Sequence, residues 1–216
     1  MSTIKAKIKL ITPPKEIERR ILDTIGKHLS QNLTRVEGDI QASLTNMLFQ
    51  ALTGSQETQS IVAGQLRSEL GIVDADEQLS QIFTAIVHAT KVKFEKPKIR
   101  GTKLAMSIIV TAVPFDLSSI TGANGKYTTE KGTEIDWFKW LTELGDAVIV
   151  RKHESSAEFP SKSRTGDKIM IKGKGWRVPP EFAGTAQDNF VTRATDKILP
   201  DLEKYIIKMI SRKIGE

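Results

Sequence analysis

Apolar and polar residues alternate over residues 4–11, where Ile4, Ala6, Ile8 and Leu10 are separated by Lys5, Lys7 and Lys9. This period of two predicts a half-buried strand. Pro13 and Pro14 stop that strand and preset the start of a helix. The period then changes to four, and Ile17, Ile21, Ile25 and Leu29 mark a one-sided helix. Thr34 followed by Glu37 has the form of a capping box, so a second helix is predicted behind it. Its apolar stripe is Val36, Ile40, Leu44, Met47, Leu48 and Ala51, and Gly54 closes it. A third helix is predicted from about Glu57 to Leu70, ended by Gly71. Asp74 with Glu77 caps a fourth, whose stripe is Leu79, Ile82, Phe83 and Ile86.

The pattern changes near Lys91. Val92 and Phe94 alternate with Lys91, Lys93 and Glu95, as in a strand with one wet face. Residues 104–113 are rich in β-branched side chains and predict a central strand ended by Pro114. Residues 116–133 read as a loop with a turn at Asn124-Gly125, followed by strand character at Lys126–Thr129. Ile135, Phe138, Trp140 and Leu141 predict a short helix ending at Gly145. Ala147–Val150 predicts a strand, residues 154–166 a polar, mobile loop, and Ile169-Met170-Ile171 a strand broken by Gly173 and Gly175. Asp188 is placed to cap a final helix that carries Phe190, Ala194, Ile198, Leu202, Tyr205 and Ile206, and Pro200 kinks it or divides it in two. The expected fold class is α+β, with a helical N-terminal region, a central, mostly antiparallel small β-sheet and a long C-terminal helix. The expected organisation is a single domain over 1–216, with a helical part (1–90) and a sheet-plus-helix part (91–216).

Composition narrows the function classes. With 216 residues, 39% hydrophobic and 27% charged, the chain can bury a core without staples. It has no cysteine, which excludes a disulfide framework, a thiolate metal site and cysteine catalysis. The N-terminus lacks the apolar core of a signal peptide, and no run approaches the roughly 18 apolar residues of a membrane helix. A net charge of +6 points weakly to a polyanion, a membrane surface or an acidic partner.

Catalytic motifs are not visible. His28, His88 and His153 each stand alone, without the i, i+4 spacing of a helical zinc site. Gly173-Lys174-Gly175 lacks the spacing of a phosphate loop and reads as a turn or bulge. Gly122–Lys126 fails the same test. Glu130, Glu134 and Asp136 do not match a calcium loop and read as a solvated acidic patch. No serine sits in a nucleophile elbow. The expectation is therefore no catalytic residue, no cofactor, no metal and no enzyme.

Two segments suit interfaces. The first runs from Pro160 to Thr185: it is basic, contains several glycines and carries Trp176 and Phe182. Arg164 and Arg177 could clamp an anion. Trp176 is either an interface anchor or a core tryptophan at the sheet edge. The candidate contact residues are Arg164, Trp176, Arg177 and Phe182. The second segment holds Lys91, Lys93, Lys96, Lys98, Arg100 and Lys103 beside Phe94, a basic run suited to phosphate contacts. No nucleic-acid recognition motif accompanies it.

Three segments together resemble neck, or tail-completion, structural proteins of tailed bacteriophages. They are Ser60–Ile72 followed by Asp74; Gly132–Leu141 leading to Gly145-Asp146 and Ala147–Val150; and Ser163–Gly166 with Trp176–Thr185 and the helix carrying Asn189-Phe190 and Thr192-Arg193-Ala194. The resemblance covers most of residues 40–200. It implies a non-enzymatic virion component at the head–tail junction, a homo-oligomeric ring around the DNA channel. Its implied partners are further copies of itself, other neck, portal or tail proteins and the passing DNA, with no membrane. Loops such as 116–133 and 154–166 would then order on assembly.

Overall fold

The computed structural model describes residues 13–111, Leu117, 122–129 and 132–215. The strand expected over 4–11, and residues 112–113 of the expected central strand, lie outside the described residues. What is described is α+β: six helices interleaved with short antiparallel strand pairs, closed by a long C-terminal helix.

Helix α1 runs unbroken over Pro14–Thr53 with Pro14 in its first turn, 40 residues and so ~60 Å long. The break expected at Thr34 does not occur. Asn32, Leu33, Val36, Ile40, Leu44, Leu48 and Leu52 form one buried stripe that carries the 3–4 spacing straight through Thr34. Its hydroxyl donates to the Ser30 carbonyl instead of capping. Continuous burial outweighs a local capping preference here, because tertiary packing supplies most of a helix's stability.

The third predicted helix is split at Gly64 into α2 (Gln56–Ala63) and α3 (Gln65–Leu70). The chain folds back so tightly there that a Cβ on Gly64 would sit 2.8 Å from Ser60 Cα. The Ser60 hydroxyl accepts from the Leu66 N–H at 3.0 Å and repairs the break. Gly71, at φ 69°, ends α3 in the left-handed conformation. Helix α4 (Ala75–Ala89) buries Leu79, Ile82, Phe83, Ile86 and Val87 as its stripe predicts, although Asp74 makes no side-chain cap.

Strands β1 (Lys91–Phe94) and β4 (Ile108–Thr111) pair antiparallel, as do β2 (Lys98–Arg100) and β3 (Lys103–Ala105). The Glu95 N–H donates to the Ser107 carbonyl between the two ladders. Residues 91–111 are thus one long hairpin that turns at Gly101, φ 62°. The expected central strand is its returning arm, interrupted at Met106-Ser107, so the strands pair in twos instead of forming one sheet. Gln41 anchors the hairpin base to α1: its Oε1 accepts from Val92 N–H and its Nε2 donates to Thr90 O, both at 2.9 Å. Nearer the hairpin tip, Leu104 and Pro97 lie over Gly26, whose missing side chain permits the approach.

A 3-10 turn (Gly122–Gly125) precedes the short pair β5 (Tyr127–Thr128) and β6 (Glu134–Ile135). Helix α5 (Trp137–Thr142) follows, capped by Asp136, which accepts from Lys139 N–H. A second hairpin joins β7 (Val150–Ser156) to β8 (Ile169–Trp176). The strand expected at 147–150 begins only at Val150, because Leu144–Ala147 is spent on a turn and a bridge to Thr185. It then extends through residues expected to be loop. Strand β8 continues through Gly173 and Gly175, and the irregularity sits opposite, at Lys152 with φ 59°. A side chain at Gly175 would strike Val148 and one at Gly173 would strike Glu154. The glycines let the paired strand pass beneath these residues; they do not break it.

Helix α6 (Phe190–Gly215) starts from Asn189, not Asp188. The buried Asn189 carboxamide oxygen accepts from Val191 and Thr192 N–H, while its NH₂ donates to the Thr142 and Thr185 carbonyls. The helix passes Pro200 without a break, since Ile198, Leu202 and Ile206 keep one face buried on both sides of it. Arg193 near its start meets Glu57 beyond the end of α1, and the two helices pack along each other, so they run antiparallel. Phe49, Phe83, Phe190, Phe138 and Trp137 form a chain of edge-on ring contacts at 5.7–6.4 Å through the core. The buried cluster thus draws on both the helical and the strand-bearing parts.

Candidate functional site

The Pro160–Thr185 segment does not present its tryptophan. Trp176 is 5% exposed, tilts against Trp140 at 5.9 Å and donates from its indole N–H to Glu69 Oε2 at 3.0 Å. The other Glu69 oxygen accepts from Lys168 Nζ at 2.9 Å. Of the two readings open for Trp176, the buried one matches its place in this fold, where it packs on Trp140 and bonds Glu69 of the same chain. β8 delivers Trp176 and Lys168 sits just before that strand, while α3 delivers Glu69; the carboxylate therefore ties the second hairpin to the helical part.

The Arg164 guanidinium carbon lies over the Tyr127 ring, 4.7 Å from its centroid. Glu69, Tyr127, Ser155, Lys162, Arg164 and Lys168 line one recess of about 200 Å³. Burial raises the Tyr127 phenol, and the Arg164 charge partly opposes it. Arg177 is exposed and stands 3.8 Å from a still more exposed Asp146, a pair that contributes little. Phe182 is half-buried and packs against the core. The four predicted contact residues thus separate: Arg164 joins the recess, Trp176 lies behind it, and Arg177 and Phe182 do not line it.

The basic run, in contrast, is brought together. Lys91, Lys93, Lys96, Lys98, Arg100 and Lys103 are all exposed. Partner residues in a ladder share a face, and residues two apart on a strand do too. The pairs Lys91↔Thr111, Lys93↔Ile109, Lys98↔Ala105 and Arg100↔Lys103 therefore place five cations on one face of the first hairpin. Glu95 approaches only Lys98, at 4.0 Å.

The other predicted clusters are structural. Lys126 Nζ lies 2.8 Å from Glu134 and 3.8 Å from Asp136, so the acidic patch is partly neutralised. The hydrogen bond and charge of Glu134 raise the Lys126 ammonium above its usual range. Glu130 lies outside the described residues. His28, His88 and His153 are all exposed, on three different elements. Among the described residues no group of three or more His, Asp or Glu side chains could hold a metal ion, and no helix is long and apolar enough to cross a membrane.

Two surfaces were not anticipated as sites. Ile17, Ile21 and Ile25 were expected to face a core, yet Ile21 and Ile25 are 54% and 49% exposed. With Arg20 and Thr24 they form an apolar strip on α1, whose first buried residue is Asn32. At the other end of α1 an apolar groove of about 400 Å³ opens between Phe49 and Thr53 of α1, Val62 of α2, and Leu79 and Phe83 of α4, with Asp76 on its rim. The signal for the strip was present in the charge pattern: Lys15, Glu16, Glu18, Arg19, Arg20, Asp23 and Lys27 crowd that part of the helix and leave it a narrow apolar face. Comparison of the chain with protein-family models, with curated proteins and with solved structures finds no match.

Proposed function

We propose that this chain is a structural subunit of a tailed-phage particle, at the head–tail junction, where copies form a ring that joins portal to tail and leaves a channel for DNA. The observation that carries the assembly reading is the strip with Ile21 and Ile25 exposed and Ile17 half-buried, on a helix whose other half is core. Isoleucines repeated on one side of a helix and left in water favour a protein partner. The place in the particle rests on the resemblance of Ser60–Ile72, of Gly132–Leu141 with Gly145–Val150, and of Ser163–Gly166 with Trp176–Thr185 and the start of the last helix, to neck and tail-completion proteins. The role is mechanical and interfacial: the partners are further copies, the neighbouring neck, portal or tail proteins, and the DNA. The measurement is the native mass of the purified chain, together with imaging of particles made without it. A discrete multiple of 24.0 kDa, and filled heads that stay unjoined to tails, are the expected results. Normally joined particles lacking the chain would end the reading.

A second reading has its own support. Five cations on one face of the hairpin 91–111 suit contact with a nucleic-acid backbone. Phosphate contacts release counterions, so the log–log salt slope of duplex binding would approach about −4.5 if all five engage. Neutralising Lys91 and Lys93 would flatten it by about 1.8. Binding that ignores salt would remove this reading.

A further inference from the structure

We infer that the isoleucine strip of α1 docks into the α1–α2–α4 groove of a second copy of this chain, making a head-to-tail contact. The inference rests on the assembly reading above and specifies the surfaces that would carry it. Four observations support it.

The strip has the form of a helix that binds in a groove. Ile17, Ile21 and Ile25 repeat at i, i+4 and i+8, the anchor spacing of an amphipathic helix laid into an apolar cleft. They span ~12 Å of helix. The groove is of matching kind, walled by three helices with Phe49, Val62, Leu79 and Phe83 facing into it.

The rims carry opposite charges. Arg20 borders the strip and Asp76 borders the groove. Arg20 also pairs with Glu16, but both side chains are largely in water, so Arg20 can exchange partners at little cost.

The geometry forbids a chain from satisfying itself. Ile21 and Phe49 stand on the same unbroken helix, about 28 residues and ~42 Å apart. A straight helix cannot fold its first turns onto its last. Among the described residues the strip and the groove are both uncovered, and the strip cannot reach the groove of its own chain. The same chain supplies a segment of the right shape, spacing and charge.

The two patches lie on different parts of the molecule, so the contact is heterologous. Each docked copy leaves one strip and one groove free for the next. Such contacts close into a ring when the rotation between neighbours closes, and run on as a filament when it does not.

The test uses the full chain and two variants, Ile21→Asp/Ile25→Asp and Val62→Asp, with circular dichroism to confirm folding. Sedimentation and native mass spectrometry read the assembly. Each variant alone is expected to be monomeric, its self-association weakened more than about tenfold. Their equimolar mixture is expected to give a one-to-one dimer and nothing larger, because one copy keeps its groove and the other its strip. Since Val62 is half-buried, Asp76→Arg serves as a second groove variant: it should weaken assembly, and Arg20→Asp in the same chain should restore it. Assembly of the parent chain that none of these variants alters would overturn the strip-and-groove contact and leave the assembly reading standing. Mixed variants that remain monomeric would overturn the contact too. A parent chain that stays monomeric at every concentration would overturn both.

Discussion

Glu69 and Trp176 lie 107 positions apart in the chain, and the carboxylate of one accepts the indole N–H of the other at 3.0 Å. The same carboxylate, only 6% exposed, pairs with Lys168. Replacing Glu69 by Ala leaves a buried indole donor without an acceptor, which costs about 1–3 kcal/mol. Glu69→Gln keeps a carbonyl for the indole but turns its NH₂ toward Lys168 and Gln65, which both donate to the other carboxylate oxygen, so it should recover only part of that. Urea unfolding of the three proteins measures the difference. Equal stability of Glu69→Ala and the parent would show that the contact holds nothing together.

Two glycines should respond in opposite directions to alanine. Gly38 sits inside α1 with open space around it, and Gly38→Ala should raise stability by about 0.5–1 kcal/mol through better helix propensity. Gly184 is buried where a Cβ would lie 2.6 Å from the Leu141 carbonyl and 2.9 Å from Asn189 Cα. Both are backbone atoms that cannot turn aside, so Gly184→Ala should cost about 1–3 kcal/mol. Thermal melts of the pair give the sign directly.

The start of α6 offers a third comparison. Asn189→Ala removes the acceptor for two helix N–H groups and the donor to two carbonyls, and should cost about 2 kcal/mol, the upper range for a cap. Asp188→Ala removes one exposed ion pair with Arg193 and should cost under about 0.5 kcal/mol. If Asp188 proved the costlier of the two, the assignment of the cap would be wrong.

Alkaline titration probes the Tyr127 recess. The phenol and the neighbouring Lys126 ammonium are both raised in the fold. A raised group binds its proton more tightly when folded. Its contribution is therefore complete below its unfolded value, near 10.0 for Tyr127 and 10.5 for Lys126, and is lost as pH rises through the folded one. Stability should fall above about pH 10. In a Tyr205→Phe background, phenolate absorbance follows Tyr127 alone. Arg164→Gln removes the cation that lowers this phenol, so its titration should move to higher pH. No movement would mean that Arg164 does not sit over the ring in solution.

The helical stripes were readable because each was buried on one side, as Leu79, Ile82, Phe83 and Ile86 show. Where local signals competed with packing, packing decided. Thr34 and Glu37 make a sound capping box, but the buried stripe from Leu33 to Leu52 kept the helix going. Gly173 and Gly175 look like strand breakers, yet they are the positions where Glu154 and Val148 leave no room for a side chain. The basic run was legible as residues but not as a surface, because only the ladder register puts Lys98 on the same side as Lys93. Trp176 could not be placed from its own neighbourhood, since its partner Glu69 is remote in sequence. The groove was invisible for a similar reason: its walls come from three helices whose arrangement no local pattern records.

The continuity of α1 has a mechanical consequence. Leu104 and Pro97 of the hairpin pack over Gly26, so the 12 residues before it, ~18 Å of helix, extend past that contact as an arm. A tilt of about 10° at its root moves the far end by about 3 Å over that length. In a head-to-tail array the number of copies per turn would then be governed at the root of the arm, where the hairpin presses on Gly26, as much as at the isoleucines that touch the neighbour.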